Sequence, residues 1–248
     1  MARVATSGRI LAWVVPLLAE AAALGRSVAL AWTIGPAELG SAMMLALVAR
    51  MVEMASDFGI EKLIVQAHDG NSARFQAELH GAVALRGGAL AIILLALAPV
   101  FAVAFPDGPS TATYSALALV SLFRGAVHLD TRRAERRFNY KPMAIAEGGA
   151  TLVMLLMVGP AVWAFGDHRA MAVVLVAHAA ALALLSHMQS DRPYRLRICL
   201  SSLHRIGKFG APLISNGALL FLTFYADRMI VASAYGWTVL AIYGTALQ

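Results

Sequence analysis

The sequence predicts an all-α integral membrane protein. It reads as a polytopic helical bundle: one six-helix lobe, then the first helix and a partial second helix of a second lobe. Three observations predict this. The 248 residues are 60% hydrophobic and only 14% charged, against about 45–50% and about 25% in soluble domains. The apolar residues gather in runs of about 20, the length that crosses a bilayer core. The segments between the runs alternate between Lys/Arg-rich and Lys/Arg-poor, as loops do on opposite sides of a membrane. The positive-inside rule then places the N-terminus in the cytoplasm.

The first helix is expected from about Ile10 to Ile34. Arg3 and Arg9 imitate the start of a signal peptide, and Ala21-Ala22-Ala23 imitates a cleavage site. The apolar run nevertheless continues to Ile34 and carries Glu20, so it reads as a retained span. It stops at Gly35-Pro36. Pro36 suits a first helical turn, where its missing N–H costs nothing, and Gly35 suits the preceding cap. The second helix, about Pro36 to Phe58, therefore starts at once, and the pair should form an antiparallel hairpin.

A polar stretch, 59–78, leads to a third helix from about Leu79 to Phe105, which contains Gly87-Gly88. Pro106-Asp107-Gly108-Pro109 is a turn by composition. The fourth helix covers about Thr111 to Leu129. A basic loop follows, with Arg132, Arg133, Arg136, Arg137 and Lys141. The fifth helix runs from about Pro142 to Phe165, and Gly166-Asp167-His168 turns the chain into a sixth, about Ala170 to Gln189. A second basic stretch carries Arg192, Arg195, Arg197, Arg205 and Lys208. It is expected to set topology and to meet anionic headgroups.

The seventh helix runs from about Phe209 to Ala234. After Gly236 an eighth starts and reaches Gln248, about 18 Å of a hydrocarbon core about 30 Å thick. The organisation read from this is a lobe over 1–190, a basic cytoplasmic linker over 191–208 and the start of a second lobe over 209–248. The chain is expected to be the N-terminal piece of something longer. A shift of about 200 residues supports the repeat. It lays Gly35 on Gly236, Leu39 on Leu240, Ala31 on Ala232 and Arg26 on Asp227, and an even-numbered repeat keeps its orientation.

Charges inside apolar spans are expensive and face an interior or a watery cavity. Arg50, Glu53 and Asp57 are spaced i, i+3, i+7 and share one helical face. Arg50 and Glu53 can pair within the helix, and Asp57 also suits a position at the cytoplasmic end. Glu20 lies near the middle of the first helix. Arg26, Asp227 and Arg228 lie about two turns from the outer ends of their helices. The candidate cavity residues are therefore Glu20, Arg26, Arg50, Glu53, Asp227 and Arg228, with Asp57, Arg124 and Glu147 as further candidates. Arg124 has the alternative of snorkelling to the inner surface. In a cytoplasm-open state Arg26 and Asp227 are expected to approach each other across the lobes.

Several function classes are excluded. The sequence holds no H-E-x-x-H, G-x-S-x-G, Walker loop or G-x-G-x-x-G, so neither an enzyme nor a cofactor is expected. Cys199 is the single cysteine, which excludes an internal disulfide and a multi-Cys metal site. His178 and His187 are nine residues apart on opposite faces of the sixth helix and form no metal pair. The net charge of +6 lies in short loops, where it reports topology rather than a nucleic-acid partner. The methionines are read as packing.

Five motifs point to a family. Ile34-Gly35-Pro36-Ala37-Glu38-Leu39-Gly40 resembles the "LGPxxxG" junction after the first helix of bacterial polysaccharide-biosynthesis flippases. Asp57-Phe58-Gly59-Ile60, with Leu63-Ile64-Val65-Gln66, resembles the close of their second helix. Arg133 through Phe138 resembles their basic loop before the fifth. Arg205-Ile206-Gly207-Lys208-Phe209-Gly210-Ala211-Pro212 resembles "rFGxP" at the start of the seventh, and Asp227-Arg228-Met229-Ile230-Val231 resembles "lDrlllg". These flippases belong to the multidrug/oligosaccharidyl-lipid/polysaccharide exporter superfamily.

The resemblance implies two six-helix lobes around a central cavity lined by helices one, two, seven and eight. It also implies passage of an undecaprenyl-pyrophosphate-linked oligosaccharide across the bacterial inner membrane. Arg26 and Arg228 match positions where the family keeps charge. The partners implied are the lipid-linked oligosaccharide and membrane lipids, with a polysaccharide polymerase and glycosyltransferases nearby. Alternatives are a cation-coupled drug exporter of the same superfamily, for which Glu20 speaks, and a scaffold or glycan-transferring enzyme of a polysaccharide assembly complex.

Overall fold

The computed structural model describes the backbone from Ala2 to Leu247 and side chains from Val14 onward, Pro16 excepted. The side chains of Arg3 and Arg9, and the terminal Gln248, lie outside the described residues. All regular structure among the described residues is helical: α1 (Ala2–Ala31), α2 (Pro36–Ala55), α3 (Ile60–Gln66), α4 (Ala73–Ala104), α5 (Thr111–Gly125), α6 (Asp130–Glu135), α7 (Lys141–Phe165), α8 (Arg169–Met188), α9 (Leu200–Tyr235) and α10 (Trp237–Ala246). The eight predicted helices are all present, and two short ones, α3 and α6, lie within the predicted loops. The protein is a polytopic helical membrane protein. Among the described residues α4, α7, α8 and α9 are long and apolar enough to cross a membrane. The pair α2–α3, bent by 42°, makes a fifth candidate.

Local chemistry explains the boundaries. Pro36 occupies the first turn of α2 after the Gly35 cap, as its missing N–H allows. Ser72 and Ser110 cap α4 and α5 by accepting the N–H groups of Phe75 and Thr113. The α2–α3 break is built at Asp57-Phe58-Gly59. Gly59 sits at φ 62°, in the left-handed region that favours glycine, and its N–H donates to Asp57 Oδ1 at 2.8 Å.

Some helices differ from expectation. α4 and α9 start at Ala73 and Leu200, so polar residues read as loop extend both helices beyond the apolar band. α5 is shorter than predicted and ends at Gly125 after 15 residues. There it crosses α4 so closely that a Cβ on Gly87 would stand 2.6 Å from the Gly125 Cα. Small residues permit such a backbone approach between membrane helices.

The expected hairpin of α1 and α2 is corrected. The tight turn is present, but α1 packs mainly along α7, while α2 packs against α8, α9 and α10. Glycine lets α2 come close to α9 and α10. A Cβ on Gly40 would stand 1.9 Å from the Trp237 carbonyl oxygen, and one on Gly217 would stand 2.3 Å from that of Met54. α2 is therefore the central helix, held by α9 and α10 through backbone contacts that only glycine allows.

The main core is apolar and includes Leu30, Met44, Leu45, Leu117 and Met171. A smaller core lies at the basic-loop end, with Ile60, Ile64, Leu79, Leu129 and Ile206. The outside carries exposed Trp32, Ile92, Val103, Leu156 and Trp163. So much exposed apolar surface belongs against hydrocarbon.

Candidate functional site

The helices enclose a cavity of about 890 Å³. Glu20, Arg26, Arg50, Glu53, Asp57, Arg124 and Arg228 line it, together with Glu61, Lys62, Arg86 and His178. Helical spacing explains the wall. On α8 the lining residues are Met171, Leu175, His178 and Leu182, a single stripe at i, i+4, i+7, i+11. The cavity reaches Asp57, Gly59, Glu61 and Lys62 at the basic-loop end.

The opposite turns are tied together. His168 Nδ1 lies 2.6 Å from Glu38 Oε2, and the Trp237 indole donates to the Pro106 carbonyl at 3.2 Å. Glu38, Pro106, His168 and Trp237 are absent from the wall.

Arg26 is buried in this wall and, among the described residues, no carboxylate comes within ion-pair distance of it. Its Nη1 meets Met154 Sδ at 3.5 Å, and its Nε has no hydrogen-bond partner. Burying a guanidinium without an anion is costly. Arg228 stacks its guanidinium over the Tyr225 ring at 5.1 Å, and its Nε is likewise unpartnered. Two cations are thus held ready at the cavity.

Glu53 is engaged differently. The expected Arg50–Glu53 pair is present at 4.0 Å, but the closer partner of Glu53 is Arg124, reaching across from α5. The snorkelling alternative for Arg124 is therefore corrected: it forms an ion pair inside the cavity.

Two candidates lie outside the wall. Asp227 accepts the Tyr243 hydroxyl at 2.6 Å rather than meeting Arg26, so the cross-lobe pair is not the arrangement of this structure. Glu147 binds Arg132 at 2.5 Å, and the same guanidinium meets Glu61 at 2.7 Å and Glu135 at 2.9 Å. It joins α3, α6 and α7.

The basic loops are more structural than expected. Arg133 binds Asp130 at 2.5 and 3.1 Å. Arg136 donates to the Ile64, Val65 and Ala67 carbonyls at 2.6–2.9 Å, closing the C-terminal end of α3. The headgroup role expected for 192–208 is corrected at two positions. Arg192 binds Gln76 Oε1 at 2.9 Å and the Asn71 carbonyl at 3.0 Å. Arg205 binds Asp69 at 2.8 and 2.9 Å, and its guanidinium holds that carboxyl below its ordinary range. These arginines turn inward because polar groups of α4 and the loop before it lie within reach.

His178 and His187 indeed stay apart. His187 packs against His128 and Tyr194 at centroid distances of 5.1 and 4.8 Å, whereas His178 faces the cavity. Among the described residues no group of three metal-ligating side chains forms. Sequence reasoning passed over Arg86, Lys62 and Glu61, and weighed His178 only as a metal ligand. Arg86 carried a legible signal, a charge inside an apolar run beside Gly87-Gly88.

Fold and cavity together define a polytopic membrane protein with a cationic chamber among its spans. The chain belongs to the polysaccharide biosynthesis protein family, whose model matches residues 29–248. The flippase-like motifs all lie within that match, and the structure gives several of them a physical task. Gly40 admits α10, Gly59 breaks α2 from α3, and Gly210 admits the Phe58 backbone at 2.7 Å from its would-be Cβ. No curated protein and no solved structure matches the chain.

Proposed function

We propose that the protein is a flippase that carries a polyprenyl-pyrophosphate-linked oligosaccharide across the bacterial inner membrane for surface polysaccharide synthesis. The observation that carries this reading is the pair of arginines, Arg26 and Arg228, that each keep a buried Nε without a hydrogen-bond partner at one large cavity. A pyrophosphate must cross hydrocarbon, and charge-assisted hydrogen bonds from Arg offset its desolvation. The sugars need a roomy wet chamber, and the prenyl tail stays in lipid. With the basic loops in the cytoplasm, the cavity is open to the side where such cargo is made. The protein forms and breaks no bonds itself in this reading; glycosyltransferases supply its cargo and a polymerase consumes it.

Export of surface glycan tests the proposal. In cells that depend on this protein, Arg26→Gln and Arg228→Gln are expected to lower surface glycan and to build up lipid-linked oligosaccharide on the cytoplasmic leaflet. Protein levels in the membrane should stay near wild type. Normal surface glycan in both variants would remove the proposal.

A further inference from the structure

His178 stands in the cavity wall on the same stripe of α8 as Met171, Leu175 and Leu182. It is part-buried, and none of the side-chain hydrogen bonds described above involves it. The charged groups that share its cavity are predominantly cationic. Arg26 of α1 and Arg124 of α5 stand in the same wall. Of the elements packed against α8, α2 brings Arg50 and Glu53, the latter engaged with Arg124, and α7 brings only Thr151 and Met154 to the wall. The same wall also holds Glu20 on α1, Arg86 on α4 and Arg228 on α9.

An anion that enters a chamber lined by Arg26, Arg124 and His178 favours the charged form of the imidazole, since opposite charges attract. Each phosphate oxygen is an acceptor, and a protonated imidazole offers two N–H donors. We infer that His178 is a third, proton-dependent donor to the pyrophosphate of the cargo, so that loading the cavity takes up one proton from water. This rests on the flippase reading and adds to it a specificity residue and a proton linkage. The balance is simple: one aqueous proton binds an imidazole nitrogen lone pair as the anion arrives, and it leaves when the anion leaves. By linkage, affinity for the anion rises as pH falls wherever the loaded state holds more protons than the empty one.

The test uses the purified protein in lipid nanodiscs and a short synthetic prenyl-pyrophosphoryl-sugar. This probe is a phosphodiester on both phosphates, so it does not titrate near neutrality and any proton taken up belongs to the protein. Calorimetric titration in buffers of different ionisation enthalpy counts that proton. Wild type is expected to bind and to take up close to one proton, with affinity rising as pH falls. His178→Asn is expected to take up none and to bind about tenfold more weakly at mildly acidic pH, the worth of one charge-assisted hydrogen bond. At alkaline pH it should match wild type.

Binding by wild type without proton uptake would overturn the inference and leave the flippase reading standing. Equal proton uptake by His178→Asn would do the same. If neither protein binds the probe at any pH, the flippase reading falls and the inference with it. The wild-type proton count needs no variant, so a poorly folding His178→Asn cannot blur the answer.

Discussion

Arginine does opposite work at the basic-loop end of the bundle and in the cavity. At the loop end Arg132, Arg133, Arg136, Arg192 and Arg205 are each satisfied by carboxylates, amides or carbonyls. In the cavity Arg26 and Arg228 each keep a buried Nε with no partner. The first group closes the structure upon itself. The second is held at a cost that the apolar bundle must offset. Satisfied cations mark scaffold and unsatisfied ones mark a place where something else binds. The distinction turns on partners, since the residue type is the same in both regions.

The largest effect on stability should come from the loop end. Arg133 and Asp130 have side chains 7% and 2% exposed, and Asp130 also accepts from Gln76 and the Asp191 N–H. Removing one partner of a buried ion pair costs about 3–5 kcal/mol. Arg133→Met is therefore expected to lower the thermal unfolding temperature strongly in detergent, with or without cargo.

The pH dependence follows from Asp130. Burial opposes its ionisation, but the bonds from Arg133, Asp191 and Gln76 outweigh burial and hold the carboxyl at about 2. An unfolded Asp titrates near about 4. Its folded pKa is depressed, so its stabilisation is complete above the unfolded value and is lost as pH falls through the folded one. Wild type should lose stability between pH about 4 and about 2, and Asp130→Asn, already weaker, should lose less over that window. Equal losses would show that Asp130 is not the titrating group.

Arg26 should behave in the opposite sense. Replacing a buried, unpartnered cation by an apolar side chain of similar length removes a desolvation cost without breaking an ion pair. Arg26→Met is expected to raise stability by about 1–2 kcal/mol, at the modest end of such replacements, while glycan export falls. Thermal unfolding of the two proteins in the same nanodiscs measures this. A loss of stability would place Arg26 with the scaffold arginines and break the contrast between the two regions.

Much of this was legible because it is local. Gly35-Pro36, the apolar runs and the alternation of basic loops are decided within a few residues or one helix, and they point to the helices and their order. Most of the cavity wall was legible for a similar reason: a charge in an apolar helix has few places to go, and seven of the nine candidate residues line the cavity. What failed was pairing. Arg124 and Glu53 lie 71 positions apart, and nothing in either segment points to the other. Arg132 gathers Glu61, Glu135 and Glu147 from three helices. Asp227 finds Tyr243 only because α9 and α10 fold back on each other. The close crossing of α4 and α5 and the packing of α2 on α9 and α10 run through glycine contacts between distant helices, which no local pattern announces.

The smallest effect concerns the pair that belongs to neither region. Arg124 and Glu53 stand in the cavity, yet they satisfy each other. Their side chains are 33% and 30% exposed, so water in the chamber screens the attraction, and Arg50 offers Glu53 a second partner. A double-mutant cycle with Arg124→Gln and Glu53→Gln is expected to give a coupling of about 0.5–1 kcal/mol in thermal unfolding. A coupling of several kcal/mol would make the pair scaffold, like Arg133 and Asp130, and would leave Arg124 unavailable to cargo. A weak coupling has a further consequence. A pair that opens at little cost lets an entering anion compete with Glu53 for Arg124, so Glu53→Gln should bind a prenyl-pyrophosphoryl-sugar more tightly than wild type. If Glu53→Gln binds it no better although the coupling is weak, Arg124 does not reach the cargo, and the cationic surface that would receive it falls to the other cations of the wall, Arg26 and Arg228 first among them.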